Sequence, residues 1–129
     1  MATGFPAITG DVLSAAMYNE LVAFTINAQT GTTYTTVIGD SYQTLITQSN
    51  ASASDIKIPT DASVDHPVGT VITVLNIGAG LCTISAVTSA TTIILSAGAV
   101  AASPTVAQYS SAACIKTAAN TWYVVGSIA

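Results

Sequence analysis

The 129-residue chain has few side chains that could do chemistry: one histidine, two cysteines, six acids, two lysines and no arginine. His66 lies between Asp65 and Pro67, in a turn that enters the longest apolar run. A catalytic histidine needs a nucleophile within reach and a third group to orient its ring. Neither a Gly-x-Ser-x-Gly motif nor a recognisable catalytic-cysteine context supplies them. A metal would need further ligands, and only scattered Asp residues, Cys82 and Cys114 are on offer. His66 therefore reads as a turn histidine. Asp61 and Asp65 bracket the turn before it, without the dense alternation of a calcium loop, and read as caps of their own turn backbone. Cys82 and Cys114 form no Cys-x-x-Cys pair. Alternation puts Cys82 with Ile84 on an inward face, and Cys114 with Lys116 on the face opposite Ile115. In a reducing compartment both are free thiols, Cys82 acting as a small apolar residue. Gly78-Ala79-Gly80 lacks the following helix and lysine of a phosphate loop. Trp122 and Tyr123 adjoin, so one faces inward and one outward, with Trp122 the core residue. These residues predict no catalytic, cofactor or metal site.

The elements that carry them are mostly β. Residues 1–10 have two Gly, a Pro and no period, and read as an extended arm. Ser14 is placed as an N-cap, Leu13 and Tyr18 as a hydrophobic staple, and Met17, Leu21 and Phe24 on one helical face. This pattern predicts a short helix over about 15–26, with 27–33 a linker. From Tyr34 onward, short β runs alternate with turn residues: 34–38, 44–48, 55–58, 70–77, 82–87, 91–95, 106–109, 113–117 and 121–125. The run Val71–Ile77 leaves neither face polar, as expected of a central strand covered on both sides. Gly78-Ala79-Gly80, Thr88-Ser89-Ala90 and Ala118-Ala119-Asn120 read as hairpin turns, the glycines supplying positive φ. No repeat of 20–50 residues is visible, which argues against a solenoid. The expected fold is mainly β: a compact antiparallel β-sandwich or barrel over 28–129, preceded over 1–27 by an arm and one short helix.

Composition narrows the function. Ile, Val and Thr supply 45 residues against six Leu, a β-favouring balance. Two Lys cannot neutralise a run of phosphates, which excludes nucleic acid, and no basic segment exists to hold an anionic membrane. The longest stretch without a strongly polar side chain, Ile93–Ala102, is about half a membrane span. The N-terminus lacks the basic start and apolar core of a signal peptide, so assembly in a cytoplasm is expected. After His66 the only charged residue is Lys116. So charge-poor a surface is either covered by partners or coated with Thr and Ser hydroxyls; the first reading is preferred, and it implies a homo-oligomer.

Several segments are similar to a known module. His66-Pro67-Val68-Gly69-Thr70, the Gly78-Ala79-Gly80 turn, Ala107-Gln108-Tyr109-Ser110 and Asn120-Thr121-Trp122-Tyr123 together resemble a β module of tailed-bacteriophage virion proteins, found in head-decoration, tail-tip and fibre proteins. Ile56-Lys57-Ile58-Pro59 and the N-terminal stretch Gly10–Asn19 also look like parts of such proteins. The module usually carries an aromatic where this chain has His66, a departure that places this side chain at the surface. The resemblance implies a virion structural component.

Size favours the head. A fibre subunit needs a shaft, whereas an arm, a helix and one β module are expected to suit a capsid decoration (cement) protein that binds the major capsid protein as a trimer on the head surface. The arm and helix, through Phe5, Pro6, Ile8, Leu13, Met17 and Tyr18, are expected to contact the shell. Val71, Val74, Tyr109 and Tyr123 are expected at the oligomer interface. The second reading is a tail, baseplate or fibre-tip adhesin module that binds a host-surface receptor; such a tip would carry aromatics in its long loop, and Ala97–Pro104 has none. A small hydrolase is a third reading, opposed by the lack of an acid–base constellation.

Overall fold

The computed structural model describes Ala15 and residues 23 to 129. The expected arm, the six shell-binding residues and most of the expected helix lie outside the described residues. Within them the chain forms ten strands: β1 (Thr25–Gln29), β2 (Thr33–Thr35), β3 (Thr44–Gln48), β4 (Ser54–Ile58), β5 (Val71–Asn76), β6 (Cys82–Ala86), β7 (Ile93–Ser96), β8 (Thr105–Val106), β9 (Ser110–Ala118) and β10 (Thr121–Gly126). One 3-10 turn, Ile38–Ser41, interrupts them. They build two packed sheets, ordered β1-β3-β5-β9-β10-β7 and β2-β4-β6-β8. The fold is a compact, mainly β sandwich, as the alternating runs predict.

Strand pairing departs from the expected antiparallel pattern. β1–β3, β3–β5, β2–β4, β4–β6 and β7–β10 are parallel; β5–β9, β9–β10 and β6–β8 are antiparallel. The reason lies in the connections. Each of the first six strands hands the chain to the opposite sheet, so strands one apart stack in parallel and the chain winds through three turns of a flattened coil. The absence of a repeat is therefore no argument against coiling here. Thr25 lies opposite Thr44, 19 residues on, whereas Leu45 lies opposite Thr73, 28 residues on, and turns of unequal length leave no fixed period.

The turns between sheets stack like the strands. Gln29, Gln48 and Asn76 stand in register at the ends of β1, β3 and β5. Gln48 Nε2 donates to the Gly31 carbonyl, at 2.7 Å. Asn76 Nδ2 donates to the Gly80 and Val106 carbonyls, at 2.9 and 2.8 Å, and the Gly78 N–H donates back to Asn76 Oδ1. Burial of an amide is tolerated when its donors and acceptors are matched in this way. Gly78-Ala79-Gly80 is thus no hairpin, since β5 and β6 lie in different sheets, and neither glycine has positive φ; Gly69 and Gly126 do. Close approach is what these positions require. A Cβ on Gly80 would stand 1.9 Å from the Ser52 carbonyl oxygen, and one on Gly78 2.2 Å from the Asn50 nitrogen. Thr88-Ser89-Ala90 likewise links different sheets, whereas Ala118-Ala119-Asn120 is the expected hairpin, with Asn120 at φ 49.

β1 occupies residues read as the end of a helix and the start of a linker, and it straddles the expected boundary at 28. Pairing with β3 outweighs the helical spacing, and Thr25 and Ile26 are β-branched. The core between the sheets is aliphatic: Ile46, Ile72, Val74, Ile94, Cys114, Trp122 and Val124 from the larger sheet meet Ile56, Ile58, Cys82, Ile84 and Val106 from the smaller. Alternation put Cys82, Ile84 and Trp122 inward as expected; it set Cys114 and Lys116 on the face opposite Ile115, and the structure buries that face. Both cysteines are free, and burial raises both thiols, Cys114 to about 12.

Candidate functional site

Two features stand out from this frame. The first is a polar cluster at the end of the core. His66 is buried, not at the surface as expected. Thr36 Oγ1 lies 3.0 Å from its Nε2 and Ser41 Oγ 2.5 Å from its Nδ1, so one ring nitrogen donates to a hydroxyl and the other accepts from one. The ring stands edge-on to Trp122, with centroids 5.5 Å apart. Burial lowers the imidazole below its ordinary range and Lys116 adds to this, against the pull of Asp40, Asp61 and Asp65. The second ring nitrogen meets a hydroxyl where a triad has a carboxylate. Among the described residues no group of three or more His, Cys, Asp or Glu gathers as a metal would require.

Lys116 is buried beside the ring. Its Nζ donates to the His66 carbonyl at 2.5 Å and to Asp61 Oδ1 at 2.8 Å, with Asp65 Oδ1 at 3.5 Å. Asp61 also accepts from the Asn120 N–H through Oδ2, while its own N–H donates to Asn120 Oδ1. Asp61 therefore does not cap its own turn. It ties the 59–69 segment to β9 and to the β9–β10 hairpin. A buried lysine requires this partner, because an unpaired ammonium in the core is too costly.

A second carboxylate holds the 3-10 turn. Asp40 accepts from the Tyr34 hydroxyl at 2.6 Å, from Asn27 Nδ2 at 3.0 Å and from the Val37 N–H at 3.0 Å. Burial, then the bond to Asp40, pushes the Tyr34 hydroxyl up to about 12. Its neutral form is favoured by folding, so this contribution to stability is present below pH 10 and lost as pH rises toward 12. In an alkaline titration followed by tyrosinate absorbance, Tyr34→Phe is expected to remove the highest-titrating step. Unchanged curves would refute the assignment.

The second feature is the outer face of the six-stranded sheet. Register lines up Val71, Ile115, Tyr123 and Leu95 in one row, and Leu45, Thr73, Ala113 and Val125 in the next. No charged residue stands on this face among the described residues, and Val71, Ile93, Leu95, Tyr123 and Val125 are substantially exposed. A hollow of about 320 Å³ between β7 and β10, lined by Leu95, Tyr123, Val125 and Ile128, lies along it. Because Lys116 points into the core, residues 67–129 present no charged side chain to solvent. Of the four expected interface residues, Val71 and Tyr123 share this face. Tyr109 is exposed at a positive-φ turn at the sheet end. Val74 is a correction: it alternates with Val71 and is fully buried in the core. β5 is central in its sheet, but within one chain only one of its faces is covered.

The architecture defines a mainly β sandwich wound in part as a parallel coil. No family model, curated protein or solved structure matches the chain.

Proposed function

We propose that this protein is a non-enzymatic structural component of a tailed-bacteriophage virion: a capsid decoration (cement) protein that assembles as a homo-oligomer, preferentially a trimer, on the head surface over the major capsid protein. The observation that carries the reading is the uncharged, apolar outer face of the six-stranded sheet. Exposed apolar patches of this kind mark association surfaces. The similarity of His66–Thr70, Ala107–Ser110 and Asn120–Tyr123 to the virion module supports the same reading. Sister subunits cover the sheet face, and the N-terminal segment, through Phe5, Pro6, Ile8, Leu13, Met17 and Tyr18, meets the shell.

Immunogold labelling of purified particles with antibody to this chain tests the location. Gold on the heads is the expected outcome. Gold confined to the tail would replace the decoration role with the adhesin reading, and unlabelled particles would remove the virion assignment altogether.

A further inference from the structure

A cleft of about 370 Å³ opens where β4 and β6 meet the loops on either side of β7. Lys57 and Ser85, neighbours in the parallel β4–β6 pair, stand on one side. Ser89 and Thr92 line it from the β6–β7 connection, Ser103 from the β7–β8 loop, and Ile93 adds an apolar patch. This volume lies within the range of small-ligand sites.

Three observations single the cleft out. Lys116 is enclosed in the core, so Lys57 is the only lysine of the chain that reaches solvent. Among the described residues Lys57 forms no ion pair; both ion pairs belong to Lys116. Asp55, the acid on the same strand face, is two positions away and does not line the cleft. Thr92 is buried in the cleft wall, and its Oγ1 has no hydrogen-bond partner among the described residues. A buried hydroxyl without a partner is costly, and a ligand that supplies the missing partner removes that cost.

We infer that this cleft binds a small anionic sugar, its carboxylate on the Lys57 ammonium, its hydroxyls on Thr92, Ser85, Ser89 and Ser103, and an apolar ring face on Ile93. Charge, hydroxyl density and an apolar patch together select a polyhydroxylated carboxylate over a bare anion or a neutral sugar. Of the exposed residues named on the uncharged face of the larger sheet, the site shares only Ile93, at the start of β7, and its occupancy does not depend on the decoration role.

Chemical-shift titration of the full-length protein tests this, with D-glucuronate as probe and D-glucose and inorganic phosphate as comparison arms. Glucuronate is expected to shift the amides of 85–93 and 102–103 with a Kd of about 1 mM. Lys57→Met is expected to raise that Kd about tenfold or more, consistent with loss of a charge-assisted contact. Thr92→Val is expected to raise the Kd severalfold while leaving Tm equal or higher, because it deletes an unsatisfied hydroxyl with little change of shape. A purely structural threonine would not separate these two readouts. The inference is overturned if glucose or phosphate binds as well as glucuronate, if no amide in the cleft moves, or if both variants bind like the parent.

Discussion

Asp61→Ala is expected to lower stability by about 3 kcal/mol, the low end of the range for breaking a buried ion pair. Lys116 is only 1% exposed, so its ammonium depends on its partners and not on water. Asp61, 21% exposed, is the near carboxylate at 2.8 Å; Asp65, at 3.5 Å, is 81% exposed and its charge is largely screened. Without Asp61 the ammonium keeps the His66 carbonyl, and the Asn120 N–H loses its acceptor. Part of Asp61 faces solvent, so water recovers some of the loss, which is why the low end of the range applies. For a domain of this size the change amounts to a Tm drop of about 12 °C or more. The second half of the prediction concerns rescue. Lys116→Met in the Asp61→Ala background is expected to recover most of the loss, since an apolar side chain of similar length removes the unpaired charge. Differential scanning calorimetry on the single and double variants decides. A drop under about 1 kcal/mol for Asp61→Ala, or a double variant no better than the single, would show that the pair does not hold the 59–69 segment to the sheet.

Placing glutamate at both Val71 and Tyr123 is expected to convert an oligomer to a monomer of 12.9 kDa without unfolding it. Both residues point away from the core and flank Ile115 on the outer face. In an isolated chain such surface substitutions typically change stability by about 0.5 kcal/mol or less each. In an interface built from copies of this face, like charges brought together without partners cost several kcal/mol, enough to lower association by orders of magnitude. Light scattering coupled to size exclusion reads the mass, and far-ultraviolet circular dichroism reads the fold. Val100→Glu, in the exposed loop between β7 and β8 and outside the strands of this face, is the control that leaves the oligomer intact. A parent protein already at 12.9 kDa at micromolar concentration would remove the oligomer itself. An oligomer that survived both glutamates would move the interface to another surface.

Neither prediction was legible to the same extent from the sequence. Val71 and Tyr123 could be placed on an outer face because strand alternation is a local property with a period of two. The same alternation assigned Cys82, Ile84 and Trp122 to the core, and the loss of charge after His66 pointed to the uncharged sheet. Val74 shows the limit: alternation with Val71 already opposed its place at an interface, but an apolar run hides which of its faces is the inner one. Asp61 shows another. Its partners Lys116 and Asn120 lie 55 and 59 residues away, and no local pattern marks a pairing of that range.

What the sequence determined by itself was the strand content, the approximate position of nine runs and the inward or outward sense of most residues within them, because these follow from β-branched side chains and the pleat. The tertiary structure alone decided which strands are neighbours. Gly78 and Gly80 look like turn glycines, and only the stacked backbone at Asn50 and Ser52 shows that they are needed for close approach. β1 became a strand because β3 offered it a partner. His66 became a core residue because Thr36, Ser41 and Trp122 converge on it from three different elements, satisfying both ring nitrogens away from water. The cleft at Lys57 exists only because β4, β6 and the loops flanking β7 meet in space. Period and propensity act between residues a few positions apart, whereas these contacts join positions about 20 to 60 residues apart; which of them form is set by the packing of the whole chain.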